Sequence, residues 1–110
     1  MIKLTTIAIC TGLIIMAPGT TMADDGADTY KLVCSSCHES GAANAPKLED
    51  KVEWKHRITQ GMEALYASTV NGKCKFFVKD LRKDLSDEII KATVDYMVYQ
   101  VKQPSPFQTD

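Results

Sequence analysis

Hydrophobic positions in this chain form one continuous run followed by several helical stripes. Residues 4–17 are mostly apolar, with Lys3 just before them. Beyond them Ala27, Tyr30, Val33 and Cys34 recur at three- and four-residue steps, the period of a helix with one buried face. Asp24, Asp25 and Asp28 lie near the start of that stripe, where negative charge suits the helix dipole. The spacing predicts a helix from about Gly26 to Cys34. Residues 41–46 read Gly-Ala-Ala-Asn-Ala-Pro and predict a loop. Helices are predicted over about 52–60 and 62–70, punctuated by Gly61 and ended by the turn pair Asn71-Gly72. Residues 72–84 predict a basic, irregular loop with an apolar centre at Phe76, Phe77 and Val78. Ser86 can cap a last helix, with Asp87 and Glu88 in its first turn. Ile89, Ile90, Thr93, Val94, Met97 and Val101 form its inward face, and Pro104 and Pro106 stop it. No stretch alternates with the period of a strand, so the fold class is all-α.

The first run predicts a cleaved leader. Lys3 supplies the positive start, the apolar run follows, and Thr21-Met22-Ala23 offers small residues where a signal peptidase reads. A membrane anchor is the alternative, but the fourteen residues of 4–17 fall short of the about 20 a helix needs to span a bilayer. A lipoprotein signal is disfavoured at Cys10, because Ile9 precedes it. Residues 1–23 are therefore expected to be removed, leaving one domain over 24–110. The chain carries 13 Lys and Arg against 14 Asp and Glu, and losing Lys3 moves it further towards acid. That balance gives no support for nucleic-acid binding. So small a domain outside the cytoplasm commonly needs a staple.

Cys34-Ser35-Ser36-Cys37-His38 supplies one. C-x-x-C-H is the form through which haem c is attached covalently: two thiols one helical turn apart add to the vinyl groups, and the histidine comes under the iron. In bacteria this attachment happens outside the cytoplasm, in agreement with the leader and a periplasmic location. Zinc held by Cys34, Cys37, His56 and Cys74 is the rival reading. Its long, irregular intervals, and the idle His38 it leaves, weigh against it. A thioredoxin-like pair would want a βαβ pattern, which is absent. Cys10 leaves with the leader, and haem uses two more thiols. Cys74 is left over, a possible link to a partner or to a second copy as a dimer.

Taken in order, these segments resemble the class I c-type cytochromes, in particular the short bacterial branch called cytochrome c-five. The resemblance rests on Gly26-x-x-x-Tyr30-x-x-x-Cys34, Ala45-Pro46-Lys47-Leu48, Trp54-x-x-Arg57, Gly61-Met62-Glu63-Ala64-Leu65-Tyr66, Asn71-Gly72, Leu85-Ser86-Asp87-Glu88 and Val94-Asp95-Tyr96-Met97. It covers nearly all of residues 26–99. It implies three to five helices around one haem, with the first and last crossing near Gly26 and Tyr96. It also implies His38 as proximal ligand, with the Pro46 carbonyl accepting from its other ring nitrogen. Trp54 and Arg57 would reach a haem propionate through the indole N–H and guanidinium; plain packing for Trp54 and a solvated position for Arg57 are the alternatives.

One departure stands out. Where the family carries a methionine that binds iron, followed by proline, this chain has Phe76 and Phe77, and neither can coordinate a metal. Met62 and Met97 fall at helical positions and are expected in the core, away from the iron. His56 is expected to be solvated. Cys74, two residues from the lost ligand, is the candidate sixth ligand; Lys73, Lys75 and Lys79 would first have to lose a proton. An open or weakly ligated site, with Phe76 and Phe77 walling an apolar distal pocket, is the favoured expectation, and the Cys74 thiolate is its rival. Two functions follow. One is a one-electron carrier of altered axial ligation, meeting a transient redox partner. The other is an open-site haem protein that binds a small gas or, with no distal acid–base group to help it, acts on peroxide.

Overall fold

The computed structural model describes residues 11–12 and 21–104. Most of the predicted leader, and Pro106, therefore lie outside the described residues. Helix α1 (Met22–Thr29) runs through a π-helical turn, Tyr30–Cys34, into the short α2 (Ser35–His38). A 3-10 turn at Ala42–Asn44 precedes α3 (Lys51–Ile58) and α4 (Met62–Val70). A second π-helical turn, Phe76–Asp80, leads to α5 (Asp87–Lys102). Among the described residues no strand occurs.

Helix α1 starts four residues earlier than its apolar stripe predicted. Thr21 accepts from the Asp24 amide through its hydroxyl, and the Asp24 carboxylate accepts from the Thr21 amide, both at 3.3 Å. This reciprocal box satisfies two otherwise free amides and extends the helix beyond its buried face. Residues 72–84 are also more ordered than expected. The Val78 amide donates to the Cys74 carbonyl at 3.0 Å and that of Leu81 to Phe76 at 3.2 Å, closing a wide helical turn.

Helix α5 is the element against which α1, α3 and α4 all pack. Its buried residues are Ile90, Thr93, Val94, Met97, Val98 and Val101. Val98 thus joins the predicted face, while Ile89, a turn off it, is half-buried. Helix α1 crosses α5 at Gly26, with the rings of Tyr30 and Tyr96 packed 5.4 Å apart one turn on. Lys51 of α3 donates its ammonium to the Val101 carbonyl at 3.0 Å and to that of Gln103, neutralising carbonyls at the end of α5.

The buried side chains form two separate clusters. Tyr30, Trp54, Met97 and Val101 make one; Val70, Val78, Leu85 and Ile90 make the other. The space between them is the cavity described below.

The 3-10 turn holds Ala43 at φ +54° and Asn44 at φ +61°. Left-handed backbone costs an alanine roughly 1–2 kcal/mol, because its Cβ crowds the carbonyl, while asparagine tolerates it. Ala43→Gly is therefore expected to stabilise the protein by about 1 kcal/mol after the entropy of the freer unfolded chain is subtracted. A thermal melt of the two proteins checks the sign.

Candidate haem site

The first π-helical turn delivers Cys34 at its end, and α2 delivers Cys37 and His38 within the next turn. All three are partly buried. His38 Nδ1 donates to the Pro46 carbonyl at 2.9 Å, which leaves Nε2 with a free lone pair. The Leu48 amide donates back to the His38 carbonyl at 3.0 Å, so the loop after α2 grips the histidine at both backbone and ring. Trp54 is only 5% exposed, and its ring centre lies 6.0 Å from that of His38. The indole N–H donates to the Lys47 carbonyl at 2.9 Å. Pro46 and Lys47 thus present neighbouring carbonyls to His38 and Trp54, which fixes the loop. The indole proton is thus taken by a carbonyl of the protein, and the buried ring serves as packing beside His38.

Arg57 is half-buried and faces the cavity while Nε and Nη2 donate to Glu53 at 3.1 and 2.9 Å, one turn back on α3. Two adjoining cavities, of about 90 and 220 Å³, share the walls Cys34, His38, Pro46, Arg57, Cys74 and Val78. The smaller reaches between α4 and α5, to Leu65, Ile90, Val94 and Met97. The larger opens past Cys37, Lys73 and Phe77.

Burial sets the protonation of these groups. It pushes the Cys34 thiol up to about 11, with further repulsion from Cys74 and Cys37. It raises the Cys74 thiol as well, against the pull of Arg57 and Lys73. It lowers His38, opposed by the Pro46 hydrogen bond and aided by Arg57. The thiols are thereby neutral and the imidazole is in its metal-binding form.

The distal side differs from expectation. Phe76 is 57% exposed and lines neither cavity; Phe77 borders only the mouth of the larger. The two do not wall an apolar pocket. Their rings pack edge to face outside it, 5.3 Å apart. Cys74 and Val78 face inward instead, because four residues make about one helical turn and both fall on its inner side. Since the Cys74 thiol lines both cavities, nothing here supports a cross-link between copies through it. Met62 is half-buried and lines neither cavity. Met97 sits in the first core cluster and also reaches the wall of the smaller cavity, closer to the site than its helical position implied. His56 is exposed and lines neither cavity, so the four residues of the zinc reading do not converge. Among the described residues no three His, Cys, Asp or Glu side chains form a metal-holding group.

Known proteins resemble this chain over most of its length. The family described as cytochrome c oxidase, cbb3-type, subunit III, matches residues 21–97. Cytochrome c-555 of Chlorobaculum tepidum is 34% identical over 102 residues, covering 86% of this chain and 94% of its own. Cytochrome c5 of Azotobacter vinelandii is 34% identical over 77 residues, 68% of this chain and 93% of its own. The chain belongs to the class I c-type cytochromes. With the family come covalently attached haem c and electron carriage rather than an enzymatic reaction. Cytochrome c-551 of Halorhodospira halochloris, 34% identical over 82 residues, is matched over its whole length, against 71% of this chain.

The residues of this cytochrome fit that group. Cys34, Cys37 and a histidine with Nε2 free border the larger cavity, and the smaller one beside it, also reached by Cys34 and His38, is walled by apolar side chains of α4 and α5. The gap between the two core clusters is where a large apolar ring system would complete the packing. Among the described residues no helix is long and apolar enough to cross a membrane.

Proposed function

We propose that this cytochrome is a periplasmic one-electron carrier whose axial ligation departs from methionine–histidine. Cys34 and Cys37 would hold haem through two thioethers, and His38 would bind its iron through Nε2. Bound haem supplies the one-electron couple. Pro46 fixes the His38 ring and makes it a better donor, and Trp54 supports Pro46 through the neighbouring carbonyl. Arg57, steadied by Glu53, is the cation on the cavity wall available to a propionate. The periplasmic reading rests on the leader pattern of residues 1–23. Its removal would take the Thr21 cap with it and leave Asp24 and Asp25 to favour the start of α1.

The distal reading rests on one observation: Phe76 stands outside the cavity that Cys74 faces. Cys74 is therefore the residue this loop would offer to the iron, as a thiolate in place of the thioether sulfur, the iron displacing the proton that burial holds on the thiol. An anionic ligand stabilises ferric iron and lowers the reduction potential relative to methionine. The gas-binding alternative loses its motive, since the aromatic pair does not enclose a pocket.

The test compares optical and magnetic spectra of the ferric wild type with those of Cys74→Ser and Phe76→Met. The wild type is expected to be low-spin, without the near-infrared band of methionine–iron bonding, and Cys74→Ser is expected to turn high-spin. A methionine band in the wild type would assign the ligand to a methionine, with Met97 first to be replaced. A low-spin spectrum unchanged by Cys74→Ser would remove the thiolate.

A further inference from the structure

A cleft of about 400 Å³ shares no lining residue with the two cavities of the haem site. Its walls are Tyr30, Glu39 at the end of α2, Leu48 and Glu49 of the loop before α3, and Tyr96 and Gln100 of α5. All six lie beyond residue 23, so loss of the leader leaves the cleft whole. Glu39 and Glu49 stand exposed at its rim. Among the described residues Glu39 forms no ion pair, and Glu49 forms only a loose one with Lys47, at 4.0 Å. Tyr30 is 4% exposed, and its hydroxyl is shut off from solvent with no hydrogen-bond partner among the described residues. A buried hydroxyl left unmet destabilises a fold until something reaches it. Burial first, and then the charge of Glu39, push the Tyr30 pKa up to about 12. The oxygen therefore lies on the Glu39 side of the cleft and stays a neutral phenol.

We propose that this cleft binds a small organic cation, a primary alkylammonium ion. Its nitrogen donates to Tyr30 Oη, to the Gln100 amide oxygen and to the Glu49 carboxylate. The Tyr30 hydroxyl then donates to Glu39, turned in from the rim, and the orphaned group is satisfied on both sides. The alkyl chain lies on Leu48 and on the tyrosine rings, whose faces attract a cation. Those rings tilt 46° to each other, 5.4 Å apart. Gln100 is in the last turn of α5, where the helix dipole also favours positive charge. Two carboxylates turn an anion away. A calcium ion takes about 6–8 oxygen ligands, and among the described residues no three His, Cys, Asp or Glu side chains form a metal-holding group. A quaternary ammonium has no N–H to give to Tyr30 or Gln100. The site is independent of the electron-carrier reading.

Titration of the reduced, haem-loaded protein with n-butylammonium chloride at fixed ionic strength, followed by amide shifts, tests it. Saturable shifts are expected at Tyr30, Glu39, Leu48, Glu49, Tyr96 and Gln100. Glu39→Gln/Glu49→Gln and Tyr30→Phe should each weaken binding about tenfold. Tyr30→Phe also separates ligand binding from support of the fold. Without amine it should melt no lower than the wild type, since the deleted hydroxyl has no partner to lose. Tetramethylammonium and calcium ions should bind at least about tenfold more weakly than butylammonium. Shifts that do not saturate, a control ion that binds as tightly, or a Tyr30→Phe protein that binds butylammonium like the wild type overturns the proposal. So does a Tyr30→Phe protein that melts several degrees lower, because the hydroxyl would then have a partner already. A free amine and the lysine of another protein carry the same group. Tighter binding of Nα-acetyl-lysine methylamide than of butylammonium assigns the ammonium to a lysine, and the reverse order assigns it to a free amine; both support the site.

Discussion

Replacing Cys34 and Cys37 together with alanine is expected to give a chain without covalent haem and without a cooperative thermal transition. The reason lies in the division of the core. The Tyr30–Trp54–Met97–Val101 cluster and the Val70–Val78–Leu85–Ile90 cluster do not touch as one body. The cavity walls between them come from both. Empty, the smaller cavity of about 90 Å³ alone costs about 2 kcal/mol at roughly 24 cal/mol per Å³. The larger one opens to solvent and leaves apolar wall exposed. A domain of this size has a total stability of about 5–15 kcal/mol even when its core is complete. Loss of the group that joins the two halves therefore removes a large share of what holds the helices together. Mass spectrometry of the purified variant reports haem attachment, and circular dichroism through a thermal scan reports folding. A haem-free variant that melted cooperatively at the wild-type temperature would show that the helices pack without help.

The sequence carries the helices better than it carries the directions of single side chains. Helix α4 ends where Gly61 and Asn71-Gly72 place it, and α5 starts at the residue after its predicted Ser86 cap. Both follow from strong local signals, a breaker and a capping hydroxyl. The start of α1 was missed because the apolar stripe begins after the capping box, and Thr21-x-x-Asp24 sits inside residues read as a leader. Phe76 shows a different limit. Its position in the chain marks it as the substitute for an iron ligand, yet a turn of 3.6 residues puts its neighbour Cys74 on the opposite side from it. One residue of slack in a loop rotates a side chain by about 100°, from cavity to solvent. The indole of Trp54 is similar: spacing along α3 says which way the ring faces, but not which of several acceptors its single proton will take. The pairing of His38 with Pro46 followed from family resemblance, not spacing, since eight residues of loop leave many partners possible.

Gly26→Ala is expected to destabilise the haem-loaded protein by about 2 kcal/mol, although the same change in an open helix would favour folding. Two effects of opposite sign compete. Alanine gains up to about 1 kcal/mol over glycine in a helix interior, through the lower entropy of its unfolded chain. Against it, a Cβ on Gly26 would lie 2.5 Å from the Ala92 carbonyl oxygen and 2.8 Å from its carbon. Those atoms are backbone in the middle of α5, so no rotamer change can move them aside. Either α1 lifts away from α5, losing the contact between Tyr30 and Tyr96, or α5 bends and disturbs Thr93 and Val94 on the cavity wall. Overpacking of this kind costs about 1–3 kcal/mol, and the fixed backbone on the far side puts this site at the upper end. For a domain of this length 1 kcal/mol corresponds to a shift of about 4–8 °C, so the melting temperature should fall by about 8–16 °C. Asp28→Ala, on the exposed side of the same helix, is the control and should change stability by no more than about 0.5 kcal/mol. If Gly26→Ala melts within error of the wild type, the close crossing of the first and last helices does not exist in solution.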